Sequence, residues 1–151
     1  MYIPKFELKS FEFLENESKQ NILRALLEAL IAADREWLSV YPNTPKLYEH
    51  NPQYVLKVRP FGLDSWQDIA QTISLRSGDC KDFACWRIAE LRQAGYTDVS
   101  PFIKVGKVIN PRNRSESITV YHIQVRKGVQ IEDPSVILGM PQSVDFNQIR
   151  G

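Results

Sequence analysis

The stretch that decides the fold is GDCKDFACWRIAELRQAG, residues 78–95. It predicts a helix from about Cys80 to Ala94 that stops at Gly95, because glycine readily adopts the left-handed backbone that follows many helices. Apolar residues recur in it at helical spacing and predict a buried face made of Ala84, Ile88 and Leu91. Everything else in the chain is interpreted by its position before or after this helix.

Helical patterns precede the stretch and strand patterns follow it. Residues from about Glu17 to Val40 predict a long amphipathic helix whose buried stripe consists of Ile22, Leu26, Leu30, Ala33 and Trp37. After residue 95, three segments rich in β-branched and aromatic residues predict antiparallel strands: VSPFIKVGKVI, SITVYHIQVR and VQIEDPSVIL. Helices first and strands after predict an α+β fold, with the sheet packed on the Cys80 helix.

The segment between the two long helices is less regular. YPNTPKLYEHNPQY is rich in proline and turn residues and predicts a loop, in which His50 is expected to be exposed. YVLKV predicts a short strand. FGLDSWQDIAQTISLRSG predicts a turn and a short helix that starts near Asp64 or Ser65 and ends before Gly78.

Length, charge and hydropathy limit the classes of function. The 151 residues predict one domain, of which residues 1–45 form an N-terminal helical part. Nineteen basic and eighteen acidic side chains leave a net charge of +1, so neither nucleic acid nor an anionic membrane is an expected partner. The start, MYIPKFELKS, lacks the pattern of a secretory signal, and the longest apolar stretch, ALLEALIAA, is too short to span a bilayer. We therefore expect a cytoplasmic protein.

Cys80 and Cys85 are the only cysteines. On one helix they would point in directions about 140° apart, too far for a disulfide bond, so both are expected to be free thiols. A metal site made of these two thiols and His122 is disfavoured, because their spacing is unlike that of common zinc ligands and no fourth ligand is evident.

The segment VYHIQVRKGVQIEDPS predicts a hairpin that turns at Lys127-Gly128. Counting outward from a two-residue turn at this point places His122 directly opposite Asp133, close enough for the carboxylate to fix the tautomer of the imidazole. A four-residue turn centred there preserves the pairing, and a three-residue turn breaks it. The alternative is a surface pair with no chemical role.

Cys80 is the third reactive group that this geometry could bring together. A cysteine in the first turn of a helix is close to unsatisfied N–H groups and to the positive end of the helix dipole, and both favour the thiolate. Asp79 can cap the helix and Gly78 permits a sharp entry into it. The Cys80 N–H could then be one donor of an oxyanion hole. The alternative is a buried structural thiol, which is the interpretation favoured for Cys85.

The stretches GDCKDFACWRIAELRQAG, YHIQV and IEDPSVILGM resemble the transglutaminase-like cysteine-hydrolase superfamily, and among its members the small bacterial and phage-encoded peptidases. The resemblance covers about residues 66–140 and implies a papain/transglutaminase-like fold with residues 64–140 as its catalytic core. It implies that Cys80 is the nucleophile, His122 the general base and acid, and Asp133 the orienting carboxylate. Trp66 or Gln67 is the implied second oxyanion donor, although Trp66 could equally be a core aromatic.

The implied activity is acyl transfer from an amide through a thioester, as in a peptidase, an amidase or a crosslinking transglutaminase, on a protein or peptide substrate and without a cofactor. The alternative function is a structural or assembly module of a phage particle or injection apparatus, with the triad dormant or used once. Phage structural proteins would then be partners, and the protein would be virion-associated.

One further segment, KVGKVINPRNR, is basic. It is expected to be a solvated hairpin loop, and contact with an acidic partner is the alternative. Its basic side chains are Lys104, Lys107, Arg112 and Arg114.

Overall fold

The computed structural model describes residues 15–56, 65–109 and 117–141, with the backbone alone at 107–109 and 117–119. Helices and strands alternate irregularly along these ranges, and the predicted α+β class is confirmed. In chain order the elements are α1 (Asn16–Val40), α2 (Leu47–His50), β1 (Gln53–Tyr54), α3 (Ile69–Leu75), β2 (Ser77–Gly78), α4 (Cys80–Gln93), β3 (Val99–Ile109), β4 (Ser117–Lys127), β5 (Gln130–Glu132) and α5 (Pro134–Ile137).

Helix α4 is the central element. It packs against α1 on one side, against β3 and β4 on another, and against α5 and α2 elsewhere. It ends as predicted, next to Gly95, whose φ of +102° is left-handed. The predicted face is buried, but Phe83 and Trp86 on a different side are also fully buried, each with 0% exposure. The helix is therefore enclosed by two apolar clusters rather than by one.

The two clusters divide the core. The first core cluster joins α1, α4 and the sheet, and its buried members are Leu23, Leu27, Ile31, Ala84, Cys85, Ile88, Ala89, Leu91, Val99, Ile123 and Val125. The second core cluster joins α2, α3, α4 and the segment after α5, and its buried members are Leu47, Ile69, Phe83, Trp86 and Leu138.

The predicted stripe of α1 is displaced by one residue. The buried residues are Leu23, Leu27, Ile31 and Asp34, whereas Ala33 is exposed. Apolar residues occupy pairs of adjacent positions along α1, so its pattern fits two neighbouring faces almost equally well. The chosen face buries an acid, Asp34, because its carboxylate oxygen Oδ1 accepts the N–H of Ile69 at 2.9 Å, at the start of α3.

The three-stranded sheet is antiparallel in the order β3-β4-β5. β3 spans the predicted segment, and Ile103 pairs with Ile123 at its centre. The third predicted strand is only three residues long, because Asp133-Pro134 starts helix α5. Proline suits the first turn of a helix, where its missing N–H has no intrahelical acceptor.

The hairpin turn lies one residue later than predicted. Lys127 pairs with Gln130, so the two turn residues are Gly128 and Val129. The physical reason is the backbone of Gly128, which has a φ of +58° and thus occupies the first turn position, where such hairpins require a positive φ. Its N–H also donates to the carbonyl of Asp98 at 2.9 Å, which ties the turn to the start of β3.

The segment before α4 contains a short parallel pair that was only partly predicted. Tyr54 in β1 pairs with Gly78 in β2, and the N–H of Val55 donates to the Gly78 carbonyl at 2.9 Å. Helix α3 begins later than expected, because Asp68 is its N-cap and accepts the N–H of Gln71 at 2.9 Å. The predicted start at Ser65 is therefore wrong, and Asp64 lies outside the described residues.

Within the ranges that the structure describes, no helix is both long enough and apolar enough to cross a bilayer.

Candidate active site

His122 and Asp133 are in direct contact. The imidazole Nε2 lies 2.7 Å from the carboxylate oxygen Oδ2. Only 5% of the His122 side chain and 17% of the Asp133 side chain are exposed, so the pair is largely shielded from water. The sequence therefore identified the correct partners. Because Asp133 binds Nε2, Nδ1 is the ring nitrogen that can exchange a proton with another group.

The contact forms although the predicted register is wrong. With Val125 paired to Glu132, the residue opposite Asp133 is Gln124, and His122 is its diagonal neighbour. The displacement by two residues along one strand keeps the same side chains on the same face, because side chains alternate with a period of two. A diagonal neighbour is still within reach of a side chain as long as histidine.

Gln124 is a site residue that the sequence analysis missed. Its amide Nε2 donates to Asp133 Oδ2 at 2.9 Å, while Oδ1 of the same carboxylate accepts the N–H of Ser135 at 3.1 Å. Burial acts to raise the pKa of Asp133, but the hydrogen bonds from His122 and Gln124 outweigh it and lower the pKa. Asp133 is therefore a carboxylate at neutral pH. Gln124 is two residues after His122 on the same strand, so the two side chains lie on the same face. This spacing is the signal in the sequence that could have identified Gln124.

Cys80 lies beside the strand that carries His122. It is the first residue of α4 and is half-buried. Its side chain packs against the first core cluster, which includes Ile123, and the backbone N–H of Ile123 acts to lower the pKa of the thiol. Because β5 pairs with β4 only at residues 125–127, the edge of β4 at Ile123 is open to this contact. Ile123 directly follows His122, so the sulfur lies against the segment of β4 from which the imidazole extends.

The environment of Cys80 favours the neutral thiol. Burial raises the pKa of this thiol to about 12, and the Asp79 carboxylate adds to the increase. The Ile123 N–H and the ammonium group of Lys81 act in the opposite direction but do not reverse it. The helix start was expected to favour the thiolate, and burial of the sulfur acts against that preference. Burial of the sulfur could not be read from its sequence position.

Charged side chains organise the first turn of α4. Asp82 is 1% exposed, and its two carboxylate oxygens accept the N–H of Gln67 at 2.9 Å and the N–H of Asp79 at 3.0 Å. Asp79 is the N-cap residue, and its carboxylate forms an ion pair with Lys81, which is 4% exposed. Lys81 also lies 5.5 Å from the centre of the Trp66 ring. The turn that holds Cys80 is thus fixed by hydrogen bonds on both sides.

Gly78 is required by close packing rather than by its backbone angle. A Cβ atom at this position would lie 2.9 Å from Cε1 of Phe83 and 3.2 Å from Cβ of Asp82. Both neighbours belong to the first turn of α4. The glycine therefore lets the incoming chain approach helix α4 closely.

The two predicted oxyanion donors differ in their surroundings. Gln67 is 4% exposed, and its amide Nε2 donates to the carbonyl of Ser77 at 2.8 Å and to the hydroxyl of Thr72 at 3.3 Å. Both protons of this amide are therefore engaged within the chain. Trp66 is half-buried against the first core cluster and lies under Lys81. This is the packing expected of a core aromatic. The oxyanion role of Trp66 and Gln67 stays a prediction.

Tyr54 is a second residue that the sequence analysis missed. Its backbone pairs with Gly78, two residues before Cys80, and its N–H donates to the carbonyl of Leu138 at 3.2 Å, after α5. Burial raises its pKa to about 12, and the neighbouring Cys80, Asp79 and Asp133 add to the increase. The backbone of Tyr54 thus joins the segment before Cys80 to the segment after α5. It lies 26 residues before Cys80, and no local pattern in the sequence indicates this contact.

The remaining reactive groups lie elsewhere. Cys85 is fully buried, and its thiol donates to the carbonyl of Leu27 at 3.6 Å, as a structural thiol would. Among the residues that the structure describes, no three histidine, cysteine or acidic side chains converge as metal ligands would. The expectation for His50 is wrong, because it ends α2 half-buried with its ring 5.8 Å from that of Trp86.

The basic segment is only partly a loop. Lys104 and Lys107 lie in strand β3, so the expectation of a loop is wrong for these two residues. Lys104 pairs with His122 in the register of the sheet. Arg112 and Arg114 lie outside the described residues, as does the side chain of Lys107.

Comparison of the chain with models of protein families, with curated proteins and with solved structures returns no match. The resemblance to transglutaminase-like hydrolases therefore depends on the residues quoted above and on the geometry around Cys80.

Proposed function

We propose that the protein is a cysteine-dependent acyl-transfer enzyme of the transglutaminase-like type, acting on an amide bond of a protein or peptide. The observation that carries the proposal is the buried His122–Asp133 pair, with 2.7 Å between Nε2 and Oδ2, together with the packing of Cys80 against the core cluster that contains Ile123, the residue after His122. A nucleophile, a base and a group that orients the base are the parts such a reaction needs.

In the proposed reaction, Cys80 begins as a neutral thiol, which agrees with its raised pKa. Its sulfur attacks the amide carbonyl carbon while its proton passes to Nδ1 of His122. The carbon–nitrogen bond then breaks, and the departing amine takes that proton from His122. The acyl group stays on Cys80 as a thioester.

Water or a second amine then attacks the thioester and releases Cys80. Water makes the protein a peptidase, amidase or deamidase, whereas a lysine side chain as acceptor makes it a crosslinker. Asp133 holds its negative charge throughout, because its lowered pKa keeps it ionised, and it stabilises the imidazolium that forms in each step.

Alkylation of the thiols tests this proposal. With iodoacetamide at pH 7.5, Cys80 should react faster than Cys85 by a wide margin, and His122→Ala should slow the labelling of Cys80 by removing the base. His50→Ala is the matched control, because His50 is the only other histidine in the chain. Peptide mass spectrometry identifies the labelled cysteine. Equal and slow labelling of both thiols contradicts the proposal.

One observation favours the second candidate function, a structural or assembly module in which the triad is dormant. The pKa of Cys80 is raised to about 12, so the sulfur is not activated in the resting protein. Under this alternative, partners would be structural proteins such as those of a phage particle. A Cys80 that stays unreactive in the alkylation experiment, in a protein with wild-type folding, supports it.

A further inference from the structure

The proposed reaction places negative charge on the carbonyl oxygen of the substrate, and this oxyanion needs hydrogen-bond donors. The backbone N–H of Cys80 is one candidate, since the first N–H groups of a helix have no acceptor within the helix. The amide of Gln67 is directed to Ser77 and Thr72 instead, so it cannot serve as the second donor in this arrangement. Trp66 packs against the first core cluster with Lys81 over its ring, as a core aromatic would, which leaves other side chains near Cys80 as candidates.

We infer that the hydroxyl of Tyr54 is the second oxyanion donor of the proposed acyl-transfer site. This inference rests on the proposed function and adds a residue to it. Tyr54 is joined to the nucleophile segment by the pairing of its backbone with Gly78. It is joined to the segment of Asp133 by the hydrogen bond from its N–H to the Leu138 carbonyl. Its backbone is therefore held by both the segment before Cys80 and the segment after Asp133.

The side chain of Tyr54 suits the role. Its ring is half-buried, with its centre 6.4 Å from that of the fully buried Phe83, so it packs against the first turn of α4. Among the described residues, no group accepts a hydrogen bond from this hydroxyl. By contrast, the hydroxyl of Tyr48 donates to Glu132 at 2.6 Å and that of Tyr121 to Asn16 at 2.8 Å.

The ionisation state of Tyr54 agrees with a donor. Because burial raises its pKa to about 12, with Cys80 and Asp79 adding to the effect, the hydroxyl keeps its proton throughout the range in which enzymes work. The backbone pairing with Gly78 and the ring contact with Phe83 place this residue beside the start of α4. An oxyanion that forms on a carbonyl bound to Cys80 would therefore meet a neutral O–H group.

Two reagents separate this role from a structural one. p-Nitrophenyl acetate acylates a thiol through a tetrahedral oxyanion and releases p-nitrophenolate, whereas iodoacetamide alkylates the same sulfur by direct displacement of iodide, with no oxyanion. In Tyr54→Phe the ring keeps its packing and only the hydroxyl is lost. We expect acylation of Cys80 to slow by about 100-fold, the usual effect of removing one such donor, and alkylation to stay within about twofold of wild type.

Tyr48→Phe is the matched control, because it removes a half-buried hydroxyl whose partner is Glu132. It should leave both rates unchanged, and thermal unfolding of each variant establishes that it is folded. Wild-type acylation rates in Tyr54→Phe, or equal slowing of acylation and alkylation, overturn the inference while the proposed function stands. A folded wild-type protein in which Cys80 reacts with neither reagent overturns the proposed function, and this inference with it.

Discussion

At the scale of single residues, the geometry of the candidate site depends on the hydrogen bonds that the Asp133 carboxylate accepts. One oxygen of its carboxylate accepts hydrogen bonds from His122 and Gln124, and the other accepts the N–H of Ser135 at the start of α5. The carboxylate is therefore held from three directions and presents one orientation to the imidazole. The pair was predicted from a hairpin register that is wrong by two residues, and the contact is kept because a shift by an even number leaves both side chains on the same face. The contact between Gln124 and Asp133 could be predicted only from the correct register of β4 and β5.

Replacement of Asp133 by asparagine should lower the rate of acylation of Cys80 by p-nitrophenyl acetate by about 1000-fold or more, because an amide cannot stabilise the imidazolium and can select the wrong tautomer. The fall is measured as release of p-nitrophenolate. Gln124→Leu keeps the carboxylate and removes one of its supports, so its effect should be much smaller. Equal rates for Asp133→Asn and wild type would contradict the role assigned to the carboxylate.

At the scale of elements, helix α4 determines both the core and the site. Its limits were predicted within one residue, because the Asp79 and Gly95 signals are local. Its burial on nearly all sides was not predicted, since Phe83 and Trp86 lie off the apolar stripe and are covered by α2, α3 and the segment after α5. The β1–β2 pair could not be predicted either. Two-residue strands carry no periodicity, and their pairing joins residues that are 24 apart.

Because the chain is packed closely at Gly78, a side chain at this position should destabilise the entry into α4. In Gly78→Ala, the new Cβ would lie 2.9 Å from Phe83, which is fully buried and cannot move without disturbing the second core cluster. We expect a loss of about 1–3 kcal/mol in the free energy of unfolding, measured by urea denaturation. Ser77→Ala, at the neighbouring half-buried position, is the control and should change stability by no more than about 0.5 kcal/mol. Similar values for the two variants would contradict the steric argument.

Glu132 joins the end of β5 to helices α2 and α4. It accepts hydrogen bonds from Arg87 at 2.7 Å, from Tyr48 at 2.6 Å and from Lys127 at 2.9 Å. Burial acts to raise the pKa of Glu132, but these partners outweigh it and lower the pKa to about 2. A lowered pKa means that the stabilisation is complete above the ordinary value of 4.5 and is lost as the pH falls towards 2.

Glu132→Gln should therefore lower the free energy of unfolding by about 1–3 kcal/mol at pH 7, since the amide cannot accept all three bonds. The difference from wild type should shrink as the pH falls from about 4.5 to 2, because protonation weakens the same bonds in wild type. Urea denaturation across this range measures it. Glu36→Gln, an exposed acid on α1, is the control and should show no such trend. A constant difference at every pH would contradict the assignment.

At the scale of the whole molecule, the order of helices and strands was predictable, whereas the faces that meet were not. The apolar positions of α1 allowed two neighbouring faces, and the one that packs on α4 brings Asp34 into the interior at 0% exposure. Its Oδ2 has no hydrogen-bond partner among the described residues. Burial raises the pKa of Asp34 well above its ordinary value, and nearby Asp68 and Asp82 add to the increase. Burial of this carboxyl group is destabilising, and the hydrogen bond from the Ile69 N–H offsets part of that loss.

The pKa of Asp34 is raised, whereas that of Glu132 is lowered, so the two acids change the stability of the fold in opposite directions as the pH rises. The unfolded chain releases the Asp34 proton more readily, so wild-type stability should fall as the pH rises above the ordinary value of 3.8 and towards the folded pKa. In Asp34→Asn nothing ionises at this position, and the carbonyl oxygen can still accept the Ile69 N–H. We expect the stability of the variant relative to wild type, measured by urea denaturation, to increase as the pH rises above 3.8. Asp98→Asn, at an exposed position, should show no such increase. The same pH trend in wild type and Asp34→Asn would contradict this account.

The position of Asp133 at the start of a four-residue helix has a consequence for local opening. Cys80 belongs to a helix enclosed by both core clusters, whereas α5 exposes Val136 and Ile137 and offers few backbone hydrogen bonds to hold it. Fluctuations that release α5 should be far more frequent than global unfolding, and amide hydrogens there should exchange with solvent deuterium well before those of α4. Each such opening would detach the carboxylate from the imidazole while the thiol stays in place. If the site acts as proposed, acylation of Cys80 by p-nitrophenyl acetate should be lost on mild heating below the melting temperature of the fold.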